Sequence, residues 1–533
     1  MASGKADIAL AERSPEPPPL GDDKHPGMVV DLVHASEAEY TPDQYRRLVR
    51  KVDWIILPLM WIISGTQYAD KASISTQATF GLEEDTHLVG QQYSWLISIF
   101  YLAFLVSEAP GNYILQRVSV GPTVAVSIFL WGVIVLCIAF ATNFAGLAVL
   151  RFLEGVTECT TYPALLLITA TWYTKEEHAM RSVIWGSANA GMDVLTSLVN
   201  YGIGRRAETH PNGMAPWKGI SFFLGALTIV LSGITYLLLG TPREVRWLSP
   251  EEKRMAAARV VASQTGSDAQ KRTLDWKQVA ITFRDPQTYF FFFLVIVNSI
   301  PNGGTTAFGN LVYVSFGFTA LETIVKGKIP QQLLSIAWFL IAGYITLKKR
   351  DSRCALSLSS LTCRGTNPGV AVYIMIVSVI PAFCGMLALA LLPHSSSLLW
   401  ARWGVYFMTS VGNLAGPLIW TLLPSNVAGR TKKSVTGTVL FIAYCVGNCV
   451  GAQVFRAKDA PRYIPAIVVC SIMYGLEIVL MIAWRTYYVW QNKRRASLIA
   501  AMAMTAQESA HQGRLNAESD MTDYENIHFV YSL

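Results

Sequence analysis

Charge is scarce in this chain of 533 residues: 15% are Asp, Glu, Lys or Arg, where a soluble globular protein carries about 25%. That shortage, with 52% hydrophobic residues and a mean hydropathy of +0.35, excludes a soluble enzyme, a coiled coil and a disordered hub. Cysteine chemistry is also missing. Of eight cysteines, Cys137, Cys159, Cys384, Cys445, Cys449 and Cys470 lie in apolar tracts, and Cys354 and Cys363 in a basic loop. None forms a C-x-x-C or Cys/His spacing, so no metal site and no cofactor is expected. The eight histidines are scattered, and Gly-x-Ser-x-Gly, His-Glu-x-x-His and phosphate-loop patterns are absent, which argues against an enzyme. No Lys/Arg stripe interleaved with aromatics points to nucleic acid. The N-terminus is polar and Pro-rich (Ser14 to Pro19), unlike a cleavable signal peptide, so the first spanning helix is expected to act as the targeting signal.

What the chain does have is long apolar tracts, at about 54–80, 91–115, 121–141, 144–173, 180–204 and 217–239. After a polar stretch come six more, at about 287–316, 329–348, 371–392, 398–423, 434–455 and 463–490. Each is long enough to cross a bilayer. The expected domains are a disordered tail (1–50), a six-helix half (51–240), a central loop (241–286), a second six-helix half (287–490) and a polar tail (491–533). The loop's Ser249-Pro250-Glu251-Glu252 is a capping box with proline at the first helical position, which predicts a surface helix. Arg151 and Arg181 are 30 residues apart, as are Arg402 and Lys432, a weak repeat between the halves. The fold class is therefore an all-α membrane protein of twelve helices in two pseudo-twofold halves.

Basic residues set the orientation. With the N-terminus inside, the inner segments hold Arg46, Arg47, Arg50, Lys51, Lys175, Arg181, Lys348, Lys349, Arg430, Lys432, Lys433 and others. The outer loops hold Lys71, Lys218, Lys326, Lys328 and a few more. A ratio of roughly three to one places both termini in the cytoplasm.

Ionisable residues inside a membrane cost roughly 2.5–3.5 kcal/mol each on insertion scales, so each needs a partner or a task. Arg151, Glu154 and Glu158 share one 60° sector of a helix, and Tyr162 extends the stripe. This is either a structural ion pair or a proton site, and one arginine neutralises only one glutamate. Gln67, Asp70 and Lys71 share a face one turn from Ser64. Lys71 either snorkels to the outer surface or serves as counter-charge to an anionic substrate, held in place by Asp70. Glu108, ahead of Pro110 and Asn112, is expected to brace a kink, and Asp193, near Asn189 and Asn200, to face the cavity. Asn298, Pro301, Asn302, Gly303 and Gly304 suggest an interrupted helix whose freed backbone lines a site. Asn448, between Gly447 and Gly451, faces either substrate or a neighbouring helix.

Taken together, these motifs resemble the fungal allantoate permease family, the anion:cation symporter branch of the major facilitator superfamily, over about residues 50–490. The matching stretches are Lys51-Val52-Asp53-Trp54, Asp70-Lys71-Ala72-Ser73, Glu108-Ala109-Pro110-Gly111-Asn112, Asp275-Trp276-Lys277, Asp285-Pro286, Gly447-Asn448-Cys449-Val450-Gly451 and Ala460-Pro461-Arg462-Tyr463. The run Arg151 to Glu158 is similar to a wider group of organic-anion transporters, including the animal sialate and vesicular glutamate type. That resemblance implies proton coupling by Glu154 and Glu158 and an anion-gripping cation in the first helix. Lys71 stands where the family usually has Arg, a point charge in place of a bidentate clamp. The Gly-x-x-x-Asp-Arg loop motif of the superfamily is degraded to Leu115-Gln116-Arg117-Val118-Ser119. The fifth helix lacks the Gly-Pro pair of drug antiporters, which favours uptake. Residues 351–369 look unlike the family and are either a variable loop or an exon-boundary error.

The expectation is a monomeric, proton-coupled symporter that imports a small organic anion, a carboxylate such as a vitamin or nitrogen-source metabolite, by alternating access. Its expected membrane is the plasma membrane, with a vesicle or vacuole membrane as the alternative. The substrate-binding candidates are Lys71, Gln67, Asn302, Asn298, Asn448 and Tyr162. The coupling candidates are Glu158, Glu154, Arg151 and Asp70, and Glu108 and Asp193 are assigned to structure or gating. The competing readings are an exporter of a fungal secondary metabolite and a non-transporting nutrient receptor.

Overall fold

The computed structural model describes residues 40–532, apart from 116, 174–176, 178–180, 182, 183, 185, 186, 211, 263–273, 355–369, 394 and 503. The expectations for residues 1–39, Lys175, Cys363 and residues 355–369 lie outside the described residues.

Among the described residues the chain forms twelve long helical rods and no strand. The first half comprises α1 (Pro42–Thr79), α2 (Gln92–Leu115), α3 (Val120–Ile138), α4 (Phe144–Glu158, continued as Thr161–Trp172), α5 (Ala188–Thr209) and α6 (Pro216–Leu238). The second comprises α7 (Pro286–Phe316), α8 (Ile329–Cys354, preceded by the π-helical Thr323–Lys328) and α9 (Val370–Leu391). It continues with α10 (Leu399–Phe407 through Ala415–Asn426), α11 (Arg430–Val454) and α12 (Ile464–Ala501). Seven of the twelve are long and apolar enough to cross a membrane by length and composition. On α3, the exposed Val126, Phe129, Leu130 and Val133 recur at helical spacing, a stripe suited to lipid, while Val124, Ile128 and Trp131 are buried.

Local chemistry sets the helix ends. Thr41 and Gln44 form a capping box that starts α1 at Pro42, so the helix takes in the last nine residues of the stretch expected to be a tail. Asp285 caps α7, with Pro286 at its first position, and Gly317, at φ +110°, ends it. The loop capping box is present: Ser249 and Glu252 exchange hydrogen bonds ahead of the helix Pro250–Ala262. That helix is tied to α1 by an ion pair between Lys51 and Glu252 at 2.8 Å.

The interruption expected in α7 does not occur. The helix runs unbroken through Pro301, and the Thr305 hydroxyl donates to the Pro301 carbonyl at 2.8 Å. Gly303 and Gly451 serve packing instead. A Cβ on Gly303 would meet the Asn448 backbone, and one on Gly451 the Ile300 carbonyl, so α7 and α11 touch backbone to backbone.

Hydrogen bonds between the halves gather at the end where α1, α7 and α11 finish. Asn310 bonds Ser75 and Thr76, the Tyr93 hydroxyl donates to the Ala307 carbonyl at 2.7 Å, and Gln453 donates to Ser98 at 2.8 Å. At the opposite end each half has its own tie. Arg181 makes a two-pronged contact with Asp53 near the start of α1, and Lys432 meets Asp285 at the start of α7. Arg181 and Lys432 of the weak repeat thus make corresponding ion pairs, whereas Arg151 pairs with Glu154 and Arg402 donates to the Ser315 carbonyl.

Candidate functional site

Five charged side chains meet where α1 and α4 face each other. Arg151 Nη1 donates to Glu154 Oε1 at 2.8 Å, and Lys71 Nζ pairs with Glu158 Oε2 at 2.9 Å. Asp70 accepts a hydrogen bond from Trp131 Nε1 on α3 at 2.8 Å. Asp70, Glu154 and Glu158 are buried and offer oxygens that all lie within 4.8 Å of one another. The structure therefore brings together all four residues expected to couple protons.

It corrects the partner expected for Lys71. Asp70 does not hold the lysine, because consecutive residues on a helix point about 100° apart and do not face each other. Lys71 reaches across to α4 instead and lies 5.4 and 5.0 Å from the rings of Phe100 and Phe104. Snorkelling to an outer surface does not occur. Gln67, on the same face, donates to the Glu158 carbonyl at 3.2 Å.

Three carboxylates share two cations here, a formal surplus of one negative charge. Among the described residues neither Glu158 oxygen, nor Glu154 Oε2, has an aligned hydrogen-bond donor. A buried carboxylate held only by an ion pair depends on that cation for its compensation.

The remaining candidates divide. Asn302 and Asn448 bond each other across the α7–α11 contact at 3.1 Å, and Asn302 lines a cavity of about 70 Å³ between the halves. Asn298 lies elsewhere: it donates to Glu477 on α12 at 2.9 Å. Tyr162 leaves the buried stripe. Helix α4 is interrupted after Glu158, and Tyr162 is 45% exposed while Arg151, Glu154 and Glu158 are buried. Glu108 accepts from Asn112 at 3.0 Å, bridging the turn that contains Pro110. Asp193 does face the cavity, where it meets Lys328 and Gln332.

Three contributors escaped the sequence reading. Trp131 sits in an apolar tract, where an indole N–H gives no signal beside its hydrophobic bulk. Glu477 was legible as a lone acid in the twelfth tract. Lys328, assigned to an outer loop, is buried because the π-helical turn carries it into the cavity.

Known proteins fit this arrangement. The Major Facilitator Superfamily model matches residues 60–452. An uncharacterised transporter of Schizosaccharomyces pombe is 30% identical, over 96% of this chain and 95% of its own length. The allantoate permease of Saccharomyces cerevisiae is 29% identical, over 94% of this chain and 88% of its own. The high affinity cysteine transporter of the same yeast is 26% identical, over 94% and 93%. Among solved structures, the inward open conformation of the E. coli xylose transporter XylE covers 80% of this chain and 95% of its own. It has a TM-score of 0.59 at 14% identity, a likeness of fold alone. A family model spanning most of the chain, with relatives aligned nearly end to end, makes this multi-pass membrane protein a transporter, not an enzyme: it belongs to the major facilitator superfamily and, within it, to the fungal allantoate permease family.

Proposed function

We propose that this transporter is a proton-coupled symporter that imports a small organic anion, a carboxylate such as a vitamin or nitrogen-source metabolite, by alternating access. The observation that carries the reading is the arrangement of three buried carboxylates around two cations, with Lys71 paired to Glu158. A proton on Glu158 removes the charge that holds Lys71, and the ammonium then becomes the counter-charge for an incoming carboxylate. Proton and anion so enter together, and neither is favoured alone. The allantoate permease of Saccharomyces cerevisiae, named for an anion, supports the same class.

In this reading Arg151 pairs with Glu154 and anchors the helix, while Asp70, bonded to Trp131, adds the third carboxylate of the cluster. Gln67, Asn302 and Asn448 contribute neutral contacts to the substrate path. The protein acts as a monomer in the plasma membrane, with both tails and the central loop in the cytoplasm. Contacts between the halves then close the outer side, and the path opens inward. Uptake into vesicles or cells tests the proposal. Accumulation should rise with an inward proton gradient, collapse with a protonophore and be lost in Glu158→Gln, which should still exchange substrate by counterflow. Gradient-driven accumulation that survives in both Glu158→Gln and Glu154→Gln removes α4 from coupling.

A further inference from the structure

The larger cavity has a cation of its own. Lys328 ends the π-helical turn Thr323–Lys328, a local widening of the helix often found at functional sites. Its ammonium lies 2.8 Å from Asp193 Oδ1, and its side chain is 11% exposed. Gln332, one turn further along α8, donates to Asp193 Oδ2 at 2.8 Å. The pair joins α5 of one half to α8 of the other and lines the cavity of about 70 Å³.

The two partners are unequally occupied. Asp193 accepts a hydrogen bond from Gln332 at one oxygen and meets Lys328 at the other through an ion pair without an aligned hydrogen bond, and its side chain is 1% exposed. An ammonium has three donors, and among the described residues the acid that meets Lys328 is Asp193 alone. The free bonding capacity of the pair is therefore mainly the ammonium's three donors, beside a space whose other polar walls are neutral amides and hydroxyls, among them Tyr68, Asn302, Gln331 and Ser410. Thr306 lines both this cavity and the smaller one beside Lys71. The two ammonium groups thus stand in adjoining spaces, Lys71 on the first half and Lys328 on the second.

We propose that Lys328 is a second anion-gripping residue, so that the transported ion has two acidic groups, one for Lys71 and one for Lys328, with its middle beside Thr306. This rests on the reading of Lys71 as the substrate's counter-charge. Asp193 is a positioning residue: with Gln332 it holds Lys328 against the cavity, and the ligand adds to the ammonium without displacing it. Because Lys328 and Asp193 belong to different halves, a dicarboxylate bound there also draws the halves together.

The test uses the purified full chain and C4 to C6 dicarboxylates, each beside its monoamide, which has the same length and one charge fewer. Affinity is read from ligand-dependent thermal stabilisation. The parent should bind a dicarboxylate at least about tenfold more tightly than its monoamide, the scale of one charged hydrogen bond. Lys328→Gln should bring that ratio close to one by weakening the dicarboxylate alone, and Lys328→Arg should preserve it. Should Lys328→Gln not survive purification, the double variant Asp193→Asn with Lys328→Gln carries the same comparison. A parent ratio near one across the panel, or an unchanged ratio in the Lys328→Gln chain, overturns the proposal. Lys71→Gln separates the two readings: weaker binding of both ligands upholds Lys71, whereas loss of the ratio in Lys328→Gln with parental binding in Lys71→Gln sinks Lys71 and keeps Lys328.

Discussion

Lys71 and Glu158 face each other across the α1–α4 contact at 2.9 Å, a lysine from one helix satisfying the second glutamate of the other. Arg151 serves Glu154 and cannot serve both. The pairing gives the second glutamate, which one arginine cannot serve, a cation of its own, and in the proposed mechanism it makes the proton-accepting carboxylate and the anion-gripping cation two ends of one ion pair.

Removing the cation should therefore show in two ways. Lys71→Ala should weaken carboxylate binding by roughly 1.5–3 kcal/mol, the scale of a charged hydrogen bond. It should also lower stability, because Glu158 is left buried without a partner. Lys71→Ala combined with Glu158→Gln should recover stability and not binding. Substrate affinity and thermal stability of the parent and the two variants check this, and parental affinity in Lys71→Ala removes the lysine from recognition.

Orientation is a second expectation. Tags at either end, or in the segment 240–286, should be inaccessible to impermeant reagents in intact cells and reactive after permeabilisation. Labelling of either terminus in intact cells contradicts the proposed topology.

Glu477 invites a third. It is fully buried, accepts one hydrogen bond from Asn298, and among the described residues its second oxygen has no donor. Among the described residues no cation pairs with it, and an unpaired carboxylate in an apolar setting is costly where the neutral acid is not. Glu477→Gln, which has the shape of that neutral form, should leave stability and transport within about 0.5 kcal/mol of the parent. Glu477→Ala should cost about 2 kcal/mol through the cavity and the stranded Asn298 amide. A large loss of transport in the Gln variant alone would show that the carboxylate changes protonation state during the cycle.

Much of the fold was legible because bilayer physics is written in runs of residues. Twenty apolar residues mark a rod whatever packs against it, and the capping box at Ser249 and Glu252 is a local device that carries its own register. The stripe Arg151, Glu154 and Glu158 was legible for the same reason, since helical spacing fixes which side chains share a face. Partners across helices were not. Nothing in the spacing of Asp70 and Lys71 says that one turns to Trp131 and the other to Glu158. Lys328 was misplaced because a single π-helical turn alters which face a residue presents. The glycines of α7 looked like a helix breaker, because a sequence does not show the neighbouring α11 whose close approach they permit.

The last expectation concerns residues 519–532, part of the stretch 491–533 expected to be a polar tail. They fold against the second half. Lys432 is fully buried between Asp285 at 2.5 Å and Asp523 at 2.8 Å. Arg495 donates to the carbonyls of Asp523 and Phe529, and Tyr531 stacks on Tyr488 with ring centres 4.6 Å apart. Tyr531→Ala should destabilise the protein by about 3 kcal/mol, as for a large aromatic removed from a core. Asp523→Asn should cost less, because Lys432 retains Asp285. Burial pushes the Asp523 carboxyl above its ordinary range, against the opposing pull of Lys432. A raised value in the docked state means that this group's contribution is fully present below the ordinary aspartate range of about 3.9, and is lost as pH rises through the docked value. The stability difference between the full chain and one ending at Glu518 should therefore widen on mild acidification in the parent and not in Asp523→Asn. Equal melting temperatures for the full and shortened chains across that pH range would show that the docked segment contributes nothing to the second half.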